Sequence, residues 1–464
     1  MAKWSLVFEG AAGGVKSCDA GRLFMEQQQM GTARKQLPRA FASLVIPNYR
    51  RFFVGALLSN IGTWMESVAQ GWLVLTVLTD GSAVAMGWVT ALRFAAVPLL
   101  SPLAGAVADR VPKRKILLVT QTLLACNSTV LCILVATGVV ELWMVFITAS
   151  IEGCITAFDN PSRQAFVSEM VPEGRLQNAV GLNATSFNSA RLVGPGVAGL
   201  LLQWLGVAPV LGLNAFSYLA MIVSLKGMKT DELHPSPARQ MKGSMREGFA
   251  YIRSRPDIML IMLLVFTMAT FGMNFNITNA TMAIRVFGKD AAEYGLLGSM
   301  IAIGTLSGAL SAAAAERPRL RVILLGTLGF AFFAGVASLA ESYLVYALLL
   351  IPTGYAMLRV VNTANATVQT STPAGLRGRV MAVYIAIFLG GTPIGSPTIG
   401  WIQDNWGTRW GVGFGAIVAG VVAVLLIIYT MRSKHLKAHV QLWPPRVDVE
   451  TIVNATSTVD IAKQ

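Results

Sequence analysis

Apolar stretches of about 20 residues, each long enough to cross the ~30 Å hydrocarbon core of a bilayer as a helix, recur from Phe52 to Met431 with short charged interruptions. Lipid is therefore the main solvent of this chain. The spacing predicts about twelve spans, at 52–78, 83–107, 116–137, 142–160, 178–203 and 208–226, then 257–284, 292–314, 321–340, 343–363, 378–402 and 409–431. Composition agrees: 54% of the 464 residues are hydrophobic and 13% charged, which lies outside the range of soluble domains.

The net charge of +14 raises the question of a nucleic-acid partner, and the placement of the cations answers it. All but six of the 37 Lys and Arg fall in the tails and in alternate loops. Arg285, Lys289 and Arg409 fall on the opposite side, and Arg93, Arg191 and Arg359 lie inside apolar stretches. This positive-inside bias predicts both termini in the cytoplasm and an even number of spans. The basic balance thus reports topology, and no nucleic-acid partner is expected.

Cys126, Cys132 and Cys154 lie in apolar helices without Cys-x-x-Cys spacing, so neither a disulfide framework nor a metal site is expected. No G-x-x-x-x-G-K-[ST] loop or nucleophile elbow occurs. The pattern excludes a nucleotide-driven pump and argues against an enzyme, with no cofactor expected. His234, His435 and His439 lie in loops or tail, which excludes an imidazole relay within the membrane.

Five segments follow: a cytoplasmic N-terminal tail (1–51), an N-terminal six-helix bundle (52–226), a central loop (227–256), a C-terminal six-helix bundle (257–431) and a cytoplasmic C-terminal tail (432–464). In the central loop Met245, Phe249 and Ile252 follow helical spacing, as in a surface amphipathic helix. The two bundles are related in sequence. ADRVPKRKILL from Ala108 aligns without gaps with AERPRLRVILL from Ala315, matching Arg110 to Arg317 and Arg114 to Arg321. A looser match sets Pro172 and Gly206 against Pro373 and Gly407. This six-plus-six layout resembles the major facilitator superfamily, and the resemblance implies an all-α polytopic membrane protein of two pseudo-symmetric six-helix bundles.

GAVADRVPKR resembles the signature of that superfamily between its second and third spans, with Gly105, Asp109, Arg110, Lys113 and Arg114 at the specified positions. Gly105 permits close packing, and Asp109 can face a helix N-terminus or an Arg, a latch made in one conformation and broken in the other. ARLVGPGVAG in the fifth span resembles the antiporter motif of superfamily exporters, with Gly194, Pro195 and Gly199 in place. Such a Gly-Pro break allows a bend and close helix contact. SNIGTWMESVAQGW, FDNPSRQAFV, RGRVMAVY and GGTPIGSP narrow the likeness to the enterobactin-exporter and transmembrane-secretion-effector branch, over roughly residues 40–435. The Arg motif that many drug/proton antiporters carry in the fourth span is absent, and Glu152-Gly153 stands in its place.

Polar residues at helical spacing mark an inward face in a membrane bundle. Spans one, four, seven and ten carry such stripes: Ser59, Thr63, Glu66 and Gln70; Thr148, Glu152, Thr156 and Asp159; Thr267, Thr270, Asn274, Thr278 and Thr281; Arg359, Thr363 and Thr370. The resemblance implies that these four spans line a central cavity. Glu66, Glu152 and Asp159 are the proton-coupling candidates, because a carboxylate in mid-membrane is costly unless protonated, hydrated or paired. Arg93, Arg191 and Arg359 must pair with these acids or bind anionic groups of a substrate. The expected protein is a monomeric exporter in a bacterial inner membrane. It would use a proton as coupling ion to expel a small amphipathic molecule such as a siderophore, drug or secondary metabolite. An importer or uniporter of the same fold, or a membrane sensor, are the alternatives, since fold alone does not set direction.

Overall fold

The structure, a computed structural model, describes residues 39–234, 245–315, 318–432, 436–442 and 445–451. Residues 1–38, Pro235, Pro237, Glu316, Arg317 and His435 lie outside the described residues. Six helices make the first half: α1 (Pro47–Trp72), α2 (Ala83–Arg110), α3 (Lys113–Ala136), α4 (Leu142–Met170), α5 (Leu176–Leu205) and α6 (Val207–Lys226). The periodic stretch of the central loop forms α7 (Met245–Ser254). There Ile252 is buried, Phe249 is exposed, and Tyr251 Oη donates to the Ser371 carbonyl at 3.2 Å.

The seventh crossing is broken into α8 (Pro256–Thr267) and α9 (Phe275–Thr281) by a π turn at Met268–Gly272. The side chain of Asn274 repairs the break, donating to the Thr270 carbonyl at 2.7 Å and accepting from Ser396 Oγ at 3.0 Å. Five more helices complete the second half: α10 (Ala291–Ala313), α11 (Leu320–Ser338), α12 (Tyr343–Ser371), α13 (Ala374–Trp406) and α14 (Thr408–Arg432). A short antiparallel hairpin follows, pairing β1 (Leu436–Leu442) with β2 (Pro445–Thr451). Among the described residues, ten crossings are long and apolar enough to span a membrane by length and composition alone. The other two, α1 and α5, are equally long but carry polar residues that the surrounding helices or the gap between the halves accommodate.

Each half packs by the same scheme. In the first, α1 lies against α5 and α6, α2 against α4, and α3 against α4 and α6. In the second, the seventh crossing lies against α13 and α14, α10 against α12, and α11 against α12 and α14. Between the halves α2 packs on α13 and α5 on α10, two contacts that interchange when the halves are swapped. That exchange is the signature of a pseudo-two-fold axis.

Both contacts are clasps of small residues at the end opposite the termini. Gly199 of α5 lies against the first residues of α10, where a Cβ would sit 2.5 Å from the Ala291 carbonyl oxygen. Gly400 of α13 lies against the first residues of α2, where a Cβ would sit 2.8 Å from Val84 Cα. Only glycine lets the backbones approach so closely. One clasp also carries charge: Asp404 accepts from the Ala83 and Val84 amides at 3.0 Å each and from Ser82 Oγ at 3.2 Å, and pairs with Arg285 at 2.7 Å. A carboxylate at a helix N-terminus is well placed against the macrodipole.

The end bearing the termini differs. A Cβ on Gly105, Gly181 or Gly375 would meet nothing within 4 Å. The gap between the halves is therefore shut at the far end and open at the terminal end.

Candidate functional site

The polar stripe of α1 turns into the first bundle. Ser59 Oγ donates to Gln121 of α3 at 3.3 Å, and Thr63 Oγ1 lies 3.3 Å from Tyr218 Oη of α6. Glu66 accepts from Asn214 Nδ2 of α6 and from Gln70 Nε2, the latter at 3.3 Å. Gln70 Oε1 in turn accepts from Arg93 Nη2 of α2 at 2.5 Å, and the same nitrogen meets Glu152 Oε2 of α4 at 2.7 Å. The guanidinium approaches that carboxylate off the N–H axis, so Glu152 Oε2 and Arg93 Nε make no directional hydrogen bond. Four helices thus bring two carboxylates onto one cation, and all but Arg93 are almost fully buried.

Arg93 and Gln70 also face outward from the bundle. With Ser67, Thr90, Phe94 and Asn276 they line a small cleft between α1, α2 and α9. Asn276 belongs to the second half, so this cleft is part of the gap between the bundles. A change of charge on Glu66 or Glu152 is felt there through Arg93.

Other candidates are placed elsewhere. Asp159 pairs with Arg163 at 2.9 Å and accepts from Thr120 Oγ1 at 2.7 Å and Gln121 Nε2 at 2.9 Å, which satisfies it locally. Thr148 bonds back to its own helix, and Thr156 is half-buried. In the second half Thr278 bonds to the Asn274 carbonyl at 3.3 Å and Thr363 to the Arg359 carbonyl at 2.7 Å. Arg359 meets none of the three acids. It stacks on Tyr355 at 5.9 Å and shares a helix face with the exposed Leu344 and Leu348, opposite the Tyr346 that bonds Asn279 of α9. A cavity role for Ser59, Thr63, Thr148 or Arg359 is not where these side chains lie, because helical period marks the buried face without saying which neighbour buries it.

At the open end Asp109 and Arg110 are exposed and have no partner among the described residues. Lys113 pairs with Glu169 at 2.9 Å, and Arg114 Nε donates to the Leu225 carbonyl at 2.8 Å, so the basic residues hold the first bundle together. In the fifth span Gly194 backs onto Trp64 and Pro195 onto Gly298, while Ser299 Oγ donates to the Leu192 carbonyl at 2.7 Å. The four stripes miss Asn214, Ser128 and Gln121, which lie in the apolar third and sixth spans, Gln121 and Ser128 within the short polar runs 120–122 and 127–129. Polar groups in an oily run were the available signal.

A family model described as transmembrane secretion effector matches residues 39–458. The chain belongs to that family. It is 24% identical over 400 residues to the MFS-type transporter YfiS of Bacillus subtilis, covering 82% of this chain and 91% of that one. It is 23% identical to the enterobactin exporter EntS of Shigella boydii over 84% of this chain and 94% of that one. A staphyloferrin A transporter of Staphylococcus aureus is 24% identical over 56% of this chain and 65% of its own length. Among solved structures, a mutant of the nucleoside transporter NupG superposes with a TM-score of 0.69 at 13% identity, covering 82% of this chain and 99% of NupG. A D-xylose-proton symporter gives 0.66 at 14%, covering 84% and 97%. Members of the transmembrane secretion effector family are transporters of the major facilitator type, so this chain is a multi-pass membrane transporter and not an enzyme.

Proposed function

We infer that this transporter is a proton-coupled exporter of a small amphipathic molecule, working as a monomer in a bacterial inner membrane with both termini in the cytoplasm. In that orientation the gap described above opens inward, ready to load from the cytoplasm. The observation that carries the reading is the cluster Glu66, Gln70, Arg93 and Glu152, in which two buried carboxylates face one cation. An acid without a cation of its own in a dry bundle is stable only when protonated or hydrated. Opening the gap to one side or the other gives that group access to different proton reservoirs, while Arg93 and Gln70 transmit its charge to the cavity wall. The names of the relatives favour siderophores as substrates, and the basic loops at the terminal end favour cytoplasmic termini.

Proteoliposomes test this directly. An imposed pH gradient is expected to drive iron-free enterobactin uphill against the proton flow, with proton release on substrate addition. The Glu66→Gln, Glu152→Gln double variant is expected to equilibrate substrate without moving protons. Uphill transport that ignores both the gradient and this variant would reject coupling at these residues, and protons moving with the substrate would replace antiport by symport.

A further inference from the structure

We propose that Arg191, with Trp64 and Phe187, forms a recognition site in the wall of the gap for a planar aromatic carboxylate. This deepens the exporter reading and rests on it only in taking the gap as the substrate path.

Position comes first. At ~100° per residue, α5 turns Gly194 toward Trp64 of α1 and Gly199 toward the start of α10. Arg191 lies on the face between those two, on the side of the helix opposite the exposed Leu200 and Trp204. The outer face of α5 is thus the one with Leu200 and Trp204, and Arg191 looks into the gap. Thr185 and Asn188 continue the polar face toward the open end.

Charge comes next. Arg93 is matched by Glu152 and Arg163 by Asp159. Arg191 has neither a hydrogen bond nor an acid among the described residues, and its one partner there is the Trp64 ring, 5.5 Å from the guanidinium to the centroid. The deep carboxylates Glu66, Glu152 and Asp159 are all turned into the first bundle. An arginine held in mid-membrane with no counterion marks a place where a negative group arrives from outside. The equivalent position in the second half, 201 residues on, is Thr392, so the scaffold itself does not call for the cation.

Shape supplies the rest. Phe187 meets Trp64 edge-on, at 5.9 Å between centroids and 65° between planes, and is half exposed. Two aromatic faces beside a planar guanidinium fork suit a flat ring carrying two adjacent anionic oxygens, which the fork can hold bidentately. Lysine would supply the charge without the fork.

The test is equilibrium binding to the full chain in nanodiscs without a pH gradient, using radiolabelled 2-naphthoate. Competitors are its methyl ester and 2-naphthylmethylamine, which keep the ring and remove or reverse the charge. The ester and the amine are expected to compete at least 10-fold less well than unlabelled 2-naphthoate. Arg191→Gln is expected to lose at least 10-fold in naphthoate affinity with ester affinity unchanged, and Arg191→Lys to fall between. Unchanged ester affinity also reports that the variants are folded. The assay runs without a pH gradient and needs no proton movement, so failure of proton coupling leaves this result standing. Equal or better competition by the amine, or parent-like naphthoate binding in both Arg191 variants, would overturn the assignment.

Discussion

The two bundles share a backbone and differ in charge. Gly153 of α4 lies against the Arg93 carbonyl of α2, and Gly354 of α12 lies in the same way against the Ile301 carbonyl of α10. With the helices in register, Glu66 corresponds to Asn274, Arg93 to Ile301 and Glu152 to Thr353, at separations of 208, 208 and 201 residues. The second bundle fills these places with an amide that repairs its own helix, an aliphatic chain and a hydroxyl bonded to the Leu349 carbonyl. It packs by the same scheme without a single deep acid, since its carboxylates in the described crossings stand near helix ends. The fold therefore does not need the charged trio. A buried ion pair is weak evidence for stability in any case, and its restriction to one half points to work done there.

Breaking the trio at one member has the largest expected effect. Arg93→Ile leaves Glu152 buried without its cation, which should destabilise the protein by about 3–5 kcal/mol, read as a shift in the unfolding midpoint in detergent. Adding Glu152→Thr, the residue of the sister site, should recover most of that loss. A cost below about 1 kcal/mol for Arg93→Ile would mean that water already reaches the pair. Completing the exchange with Glu66→Asn gives the first bundle the chemistry of the second. That triple variant should be as stable as the parent within about 1 kcal/mol, equilibrate substrate downhill, and lose uphill transport about 100-fold, equivalent to about 2.7 kcal/mol of coupling.

Fold and site were legible to different depths. Length and hydropathy specify twelve crossings because lipid imposes one requirement on every segment. The repeat around Arg110 and Arg317 specifies two related halves, and Gly199 proves to be one member of a pair with Gly400 that the motif alone does not announce. The acids were visible as charges in oil, and Glu66 and Glu152 do come together. Their joint, Arg93, could be assigned to either an acid or a substrate from sequence, and only three-dimensional packing chose Glu152. Asn214 was hidden for a related reason: the small polar face it shares with Ser217 and Ser224 does not say which helix it meets. Thr63 shows the converse, where periodic placement was right and the neighbour was not, whereas Arg359 shares a face with exposed leucines despite its place in a stripe.

The clasps extend the comparison to the closed end. Gly199→Val and Gly400→Val each push a side chain into the facing backbone, so each should shift the equilibrium away from closure at that end by about 1–3 kcal/mol. Spin-label distances across the far end in a cysteine-free background would show the change. Equal effects at the two sites are expected from the shared geometry; a clear inequality would show that one clasp bears more of the closure than the other.

The smallest effect separates the clasps by charge. Asp404 caps α2, whereas the equivalent position on α5 is the uncharged Gln203, which is exposed. Asp404→Asn removes the charge from a helix N-terminus and from Arg285, worth about 1 kcal/mol at a partly exposed site, and should widen the far-end distance distribution with a several-fold change in population. Gln203→Asp offers α10 the cap it lacks and should narrow that distribution by a few tenths of a kcal/mol up to about 1. The α2–α13 clasp also differs at its other end, where α2 carries the unengaged Asp109 and α13 begins at Ala374. If α2 and α13 exchange one carboxylate-capped end for the other as the gap reopens, Asp404→Asn and Asp109→Asn should move the distances in opposite directions and nearly cancel when combined. Shifts of the same sign would leave Asp404 as a static staple and confine the moving latch to the terminal end.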